Sequence, residues 1–338
     1  MMPWSTYRRV HPKIRIRDAA RALGTTEAQL LASDCDGDTV TRLQPRWTAL
    51  VPALATLGTA KTITRNESAV LERIGRYGEI SIDENSGIAL GALDLRMFPR
   101  VWRSAFAVVE ESERGARRSI QLFDRFGDAV HKAYLEPGGD VAAFEALRDE
   151  LRAPDQSPHV VVDAPRAPAI EVGELDREAL REGWDAMRDT HEFVTLLRRL
   201  GTPRLVALQA AGRERARRVD NRALSRLLSG CASTATPIMI FVGNRGMIQI
   251  HTGPIARVVD AAGWLNVLDP EFNLHVRSAD VAETWVVRKP TRDGIVTSLE
   301  LYDRAGETIA LVFGRRKPGT PEREEWREQL AAATEMAS

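Results

Sequence analysis

The sequence predicts an α+β protein made by internal duplication, each half consisting of helices followed by a large antiparallel β-sheet. Three observations carry this. Stretches with helical periodicity come first and runs of alternating strands follow, and this happens twice. The phrase Ser119-Ile-Gln-Leu-Phe-Asp-Arg-Phe-Gly-Asp128 is matched by Ser298-Leu-Glu-Leu-Tyr-Asp-Arg-Ala-Gly-Glu307, 179 residues later (298 against 119). Leu93-Asp94-Leu95-Arg96 against Phe272-Asn273-Leu274-His275 keeps the same offset. The proline-rich stretch between the halves has no periodicity, so it reads as a linker. This gives an N-terminal repeat at 1–155, a linker at 156–174 and a C-terminal repeat at 175–338.

Taken in order, residues 14–33 predict two short helices joined at Gly24-Thr25-Thr26, with Thr26 and Gln29 as a capping box. Trp47–Leu57 is an apolar helix stopped by Gly58. Lys61–Arg65 alternates as a strand, and Glu67–Ile74 reads as helical. From Glu79 to Leu135 short alternating runs separated by turn signals predict an antiparallel meander, followed by a helix near 140–152. Helices near 175–188, 190–200, 203–213 and 221–230 precede a second set of strands, and a charged amphipathic helix closes the chain from Pro321. A second candidate match pairs Leu54–Thr59 with Leu197–Thr202 at an offset of 143 (197 against 54). It predicts some 36 extra residues between helix and strands in the second half (179 against 143).

Composition narrows the function classes. The 338 residues carry 47 basic and 47 acidic side chains, a balance with no electrostatic footprint for nucleic acid. Two cysteines, Cys35 and Cys231, exclude a disulfide scaffold and a cysteine-rich metal cluster, and fit a reducing compartment. No apolar leader and no run of about 18 apolar residues occurs, so a cytoplasmic location is expected.

The stretch Asp189–Thr202 draws attention as a helix with clear ends. Asp189 or Thr190 is expected to cap it, with Glu192 completing a capping box, and Gly201 to end it. Phe193, Leu196, Leu197 and Leu200 form one apolar stripe, and His191 lies nearly opposite. A histidine in the first turn is kept neutral by the helix dipole, and neutral imidazole is the metal-binding form. The residues alone leave two readings open: a metal ligand, or a solvated histidine near a helix start.

Longer phrases add a resemblance. Residues 236–255 (TPIMIFVGNRGMIQIHTGPI), 263–277 (GWLNVLDPEFNLHVR), 283–306 (ETWVVRKPTRDGIVTSLELYDRAG), 189–193 (DTHEF) and 92–102 (ALDLRMFPRVW) are similar to the cytoplasmic haemin-degrading and haem-trafficking family, the HemS-like proteins. The resemblance covers nearly the whole chain. It implies a two-repeat fold with a haem cleft between the halves, and haem (iron protoporphyrin IX) as the bound group. By resemblance His191 is the proximal iron ligand, and Arg96 is the arginine over the distal face. Arg204, Lys289, Tyr302 and Arg316 line the propionate edge, where guanidinium and ammonium groups suit carboxylates. Phe98 and Phe241 are candidates for the porphyrin face. Each of these cations could instead be a solvated surface charge, and each aromatic a core residue.

Two departures stand out. Some relatives carry a second histidine in the segment after the Arg65-Asn66-Glu67 phrase, expected to be a helix; Leu71 stands there and cannot coordinate iron. Phe313 replaces a tyrosine common in relatives. The resemblance implies haem uptake and iron acquisition, with haem either transferred or oxidatively degraded using electrons from outside. One alternative is a non-catalytic chaperone that delivers haem to a haem oxygenase. A haem oxygenase or the cytoplasmic side of a haem ABC transporter would be its partner, and the chain a monomer or homodimer. A third reading, a DNA-binding regulator using residues 14–33, rests on a helix-turn-helix-like spacing.

Overall fold

The computed structural model describes residues 2–111, 115–164, 175–317 and 319–335. The first repeat and its leader contain α1 (Trp4–Val10), α2 (Ile16–Ala22), α3 (Glu27–Ala32), β1 (Val40–Leu43), α4 (Trp47–Ala53), β2 (Thr59–Arg65), β3 (Ala69–Arg76), β4 (Glu79–Ile82), β5 (Gly87–Leu90), β6 (Asp94–Met97), β7 (Trp102–Glu110), β8 (Arg117–Asp124), β9 (Ala129–Leu135) and α5 (Val141–Glu150). The second contains α6 (Arg177–Asp185), α7 (Glu192–Arg199), α8 (Arg204–Ala211), β10 (Ala216–Val219), α9 (Ala223–Thr234), β11 (Ile238–Gly243), β12 (Met247–Gly253), β13 (Val258–Ala261), β14 (Trp264–Leu268), β15 (Phe272–Arg277), β16 (Glu283–Thr291), β17 (Gly294–Tyr302), β18 (Thr308–Gly314) and α10 (Glu324–Thr334).

From α3 to α5 and from α8 to α10 the order of helices and strands is identical. The antiparallel strand orders β1-β7-β8-β9-β2 and β10-β16-β17-β18-β11 also correspond place by place. The expected α+β duplication is therefore present. Its register corrects one expectation. Leu54–Thr59 leads into β2, whose counterpart is β11, whereas Leu197–Thr202 leads into α8, whose counterpart is α3. The true partner of Leu200-Gly201-Thr202 is Leu23-Gly24-Thr25, an offset of 177 (200 against 23). Backbone geometry decides it: past Gly24 and Gly201, at φ +63° and +58°, the Thr25 and Thr202 N–H groups each reach back five residues, to the Ala20 and Leu197 carbonyls at 2.9 and 3.1 Å. Gly58 has φ 75° with ψ −132°, a different turn. The same three-letter phrase served two purposes, and there is no 36-residue insertion.

By contact the chain forms two units. The first is Met1–Arg65, Glu72–Ala167 and Gly243–Gln249; the second is Asn66–Leu71, Pro168–Val242 and Ile250–Ser338. Residues 165–174 of the expected linker lie outside the described residues. Each unit is a sheet covered on both faces. In the first, Leu50, Val51, Phe144 and Leu147 of α4 and α5 pack on Ala105, Ile120, Leu122 and Ala133. The opposite face carries Phe106, Val108 and Phe123 against Ala28 and Leu31 of α3. In the second unit α9 and α10 cover one face through Leu227, Leu228, Trp326 and Leu330. Leu180, Trp184, Phe193, Leu205 and Leu208 of α6–α8 cover the other, over Trp285, Val287 and Tyr302.

Residues 67–74 are not helical. Asn66 Oδ1 accepts from the backbone N–H of Ser68 and Ala69 at 3.0 and 2.8 Å, which fixes a turn and launches β3 as a strand. Leu71 is fully buried in the apolar core of the second unit. Asn244, 178 residues later (244 against 66), does the same for Gly246 and Met247 at 2.9 and 3.0 Å. Each asparagine also donates to a backbone carbonyl of the unit it joins: Asn66 to Ile309 and Asn244 to Val130, both at 2.9 Å. Ile309 and Val130 are themselves 179 apart, so the two turns are equivalent. In the first unit the Gly246 carbonyl accepts from Trp102 Nε1 at 2.9 Å and from the Phe98 N–H at 3.0 Å.

Candidate functional site

Helix α7 opens the site. Its N-cap is His191, with helical φ and ψ of −71° and −24°, in place of the expected Asp189 or Thr190. Glu192 reaches back to the Arg188 N–H at 2.9 Å, one residue earlier than the predicted capping box. Asp189 turns instead to His191. Its Oδ1 accepts from the His191 backbone N–H at 2.8 Å and lies 2.6 Å from the ring Nδ1. The backbone bond from His191 first, then the ring bond and the more distant Arg316 guanidinium, hold the Asp189 carboxyl below the usual range, against the cost of burial. A carboxylate on Nδ1 places the proton there and leaves Nε2 as the donor atom, the arrangement that orients metal-binding histidines. The His191 side chain is 92% exposed, so Nε2 is open to a ligand. The opposite stripe behaves as predicted: Phe193 and Leu196 are buried and Leu197 and Leu200 partly so.

Two residues along, the buried ring of Phe193 supports a charged cluster. The Arg204 guanidinium and the Lys289 ammonium lie 5.0 and 4.9 Å from its centroid. Lys289 also stands 5.9 Å from the Phe313 ring. Both cations meet Glu300, a fully buried carboxylate on β17. Glu300 Oε1 accepts from Arg204 at 2.7 Å, Lys289 Nζ at 2.8 Å and Ser298 Oγ at 2.9 Å. Its Oε2 accepts from Arg204 Nε at 2.8 Å and the Tyr302 hydroxyl at 2.6 Å. Five donors saturate a carboxylate. Burial alone would raise the Glu300 pKa, but Arg204 and Lys289 outweigh it and hold the group well below the usual range. Burial lowers Lys289 to about 8, with Arg204 adding to the effect and Glu300 opposing it. Burial also pushes the Tyr302 hydroxyl far above its ordinary value. Two cations share one carboxylate, so the cluster holds one positive charge in excess.

Arg316 follows β18, its guanidinium 3.0 Å from Asp293 Oδ2. Phe241 is half-buried and meets Phe313 edge-on at 5.2 Å. In the first unit Arg96 is one-third exposed on β6, paired with Asp94 and bonded to the Leu95 carbonyl at 3.0 Å. Phe98 is 37% exposed beyond the same strand. The structure thus brings Arg204, Lys289 and Tyr302 into one cluster against the Phe193 ring of α7. None of the three is a solvated surface residue; Tyr302, the last residue of β17, is fully buried. Glu300 and the orienting role of Asp189 were missed. The alternation Ser298-Leu-Glu300-Leu-Tyr302, three polar groups on one face of a buried strand, was the available signal.

Among the described residues no group of three His, Cys, Asp or Glu gathers as a metal cage. No described helix is long and apolar enough to cross a membrane. Helix α3 has only Gln29 outside the core, so it offers no face to a DNA groove.

Comparison with known proteins identifies the family. The description Haemin-degrading HemS.ChuX domain matches twice, over residues 24–151 and 201–333. The chain belongs to the HemS/ChuX family. Both matches begin at the corresponding turns before α3 and α8. Hemin transport protein HmuS of Yersinia pestis is 42% identical over 95% of this chain and 93% of its own. The crystal structure of holo-PhuS, a heme-binding protein from Pseudomonas aeruginosa, superposes with a TM-score of 0.93 at 47% identity, covering 97% of this chain and 96% of that one. ChuS, described as an E. coli heme oxygenase, gives 0.87 at 36%, covering 97% and 98%. The chain's relatives therefore include a protein named for hemin transport and one named a heme oxygenase.

Proposed function

We propose that this HemS/ChuX-family chain binds haem through His191 in haem uptake and iron acquisition, and either hands the haem on or degrades it. The observation that carries the reading is the exposed His191, its Nδ1 held by Asp189, on the helix whose Phe193 supports a buried cluster with excess positive charge. The donor set fits the group. Haem iron arrives with four porphyrin nitrogens and requires one axial donor, which a solitary neutral imidazole supplies. Haem carboxylates require cations, and Arg204, Lys289 and Arg316 are cations held in the same unit. Bound haem would supply redox-active iron; the protein holds it at His191 Nε2 and fixes its carboxylate edge. Arg96 as the distal group, Phe98 and Phe241 as porphyrin contacts, and a cytoplasmic location are parts of the same proposal. A haem oxygenase or transporter as partner completes it.

Haemin titration of the parent and of His191→Ala tests the reading. The parent should saturate at one haem per chain with a Soret band that shifts or weakens in the variant. Unchanged spectra and affinity would remove His191 as ligand, and absence of saturable binding would end the haem proposal. Reductant added with catalase present then separates the two fates. Ring-opened product and carbon monoxide mark degradation, and a persistent haem complex marks delivery.

A further inference from the structure

We propose that Glu300 is the positioning residue of the carboxylate-recognising end of this site. It gathers Arg204, Lys289 and Tyr302 on one buried carboxylate and trims their two positive charges to one, so that the cradle accepts a single ligand carboxylate. This rests on the haem reading above and goes beyond it by naming the group that sets the charge and geometry of the propionate end.

The geometry supports it in three ways. Arg204 and Lys289 both bond the same oxygen, Glu300 Oε1, at 2.7 and 2.8 Å, so without the carboxylate two buried cations would face each other. Oε2 spans Arg204 Nε and the Tyr302 hydroxyl, which fixes the guanidinium plane and the phenol direction together. The first repeat supplies the contrast. Gln121 stands at the register of Glu300 on β8, 179 residues earlier (300 against 121). There the acid has moved to the helix: Glu27 is the first residue of α3, the register of Arg204 in α8, and it pairs with Lys132 and Arg65. The two copies thus place their carboxylate on opposite elements. Only the second leaves an arginine at the helix start together with a strand lysine. An amide at this strand register is compatible with the fold, because the first repeat has one.

The charged groups acting on Lys289 are Glu300 from β17 and Arg204 from α8, with the Tyr302 hydroxyl bound to the same Glu300; the rings of Phe193 from α7 and Phe313 from β18 lie against it. Lys289 titrates near 8, lowered by burial and by Arg204 against the pull of Glu300. A ligand carboxylate would raise it, so carboxylate binding takes up a proton above that pH and weakens as pH rises. Removing the Glu300 charge removes the pull and moves the break to lower pH.

The experiment measures affinity for haemin and for haemin dimethyl ester, whose carboxylates are blocked, from pH 6 to 10 on the parent, Glu300→Gln and Glu300→Asp. With both ligands kept monomeric in detergent micelles, the haemin-to-ester affinity ratio cancels hydroxide binding at iron. In the parent this ratio should fall about tenfold per unit above pH 8, the slope of one linked proton. In Glu300→Gln the fall should begin at least about one unit lower, and Glu300→Asp should restore part of the shift. If Glu300→Gln does not fold, Lys289→Met provides the second arm and should make the ratio flat. Identical ratio profiles in parent and Glu300→Gln, or a parent ratio flat across the range, would overturn the proposal while leaving His191-dependent binding intact. Failure of both ligands to bind the parent would overturn the haem reading and this inference with it.

Discussion

His131 gives a prediction with a magnitude. It lies on β9 in the core of the first unit, 1% exposed, between Thr64 Oγ1 at 2.9 Å from Nδ1 and the Tyr77 hydroxyl at 3.0 Å from Nε2. Both nitrogens are satisfied and no carboxylate is among their partners, so burial depresses the pKa from 6.5 to about 3. The folded state therefore holds the ring neutral while the unfolded chain protonates it below pH 6.5. Between these values the unfolded state binds more protons, so stability falls with decreasing pH by about 1.4 kcal/mol per unit, to a total near 5 kcal/mol. Above pH 6.5 the group contributes no pH dependence. Urea unfolding of the parent and of His131→Gln at pH 7.5, 6, 5 and 4 measures this. The glutamine variant should be less stable at pH 7.5 by about 1–3 kcal/mol, from impaired hydrogen bonding. The difference should shrink and then reverse as the pH falls, because ordinary carboxylate titrations are common to both proteins. Two parallel stability curves would refute the buried neutral imidazole.

The Asp189 contact with His191 predicts that Asp189→Asn lowers haemin affinity about tenfold through a less basic imidazole. Since both side chains are largely exposed, thermal stability should be unchanged; unaltered affinity would show that the carboxylate plays no orienting part. Asn244→Ala removes two donated bonds, to the Arg65 and Val130 carbonyls, and two accepted ones. A loss of about 2–3 kcal/mol in chemical denaturation is expected, and a change below about 0.5 kcal/mol would mean that the turn is held by other contacts.

The duplication was legible because strands β8 and β17 keep their turn chemistry, Asp-Arg-x-Gly, along with their apolar alternation. The misplaced match arose because Leu-Gly-Thr can follow any helix; the backbone bonds of Thr25 and Thr202 to Ala20 and Leu197, and the ψ of −132° at Gly58, tell the turns apart. Val70, Leu71 and Ile74 fit a helical stripe as well as a strand, and the Asn66 turn that decides between them depends on a carbonyl distant in sequence. At the candidate site, the exposure of His191 was readable from its position opposite an apolar stripe. The partners of Arg204 and Lys289 were not, since β16, β17 and α8 meet only in the folded chain. Sequence spacing gives the face of a strand, but not which cation lies across from a carboxylate.

The paired turns at Asn66 and Asn244 bear on how the chain is made. A ribosome releases the first repeat well before the second, yet residues 66–71 belong to the later unit and the first unit lacks 243–249 until that segment emerges. The bond from Asn66 to Ile309 closes only when nearly the whole chain exists. Folding one domain at a time during synthesis, the usual course for a protein of this length, is therefore unavailable to it in finished form. The nascent first repeat must wait with its Trp102 and Phe98 donors unmet by Gly246. The first unit is completed only when residues 243–249 have been made, and the Asn66 turn of the second only when Ile309 has.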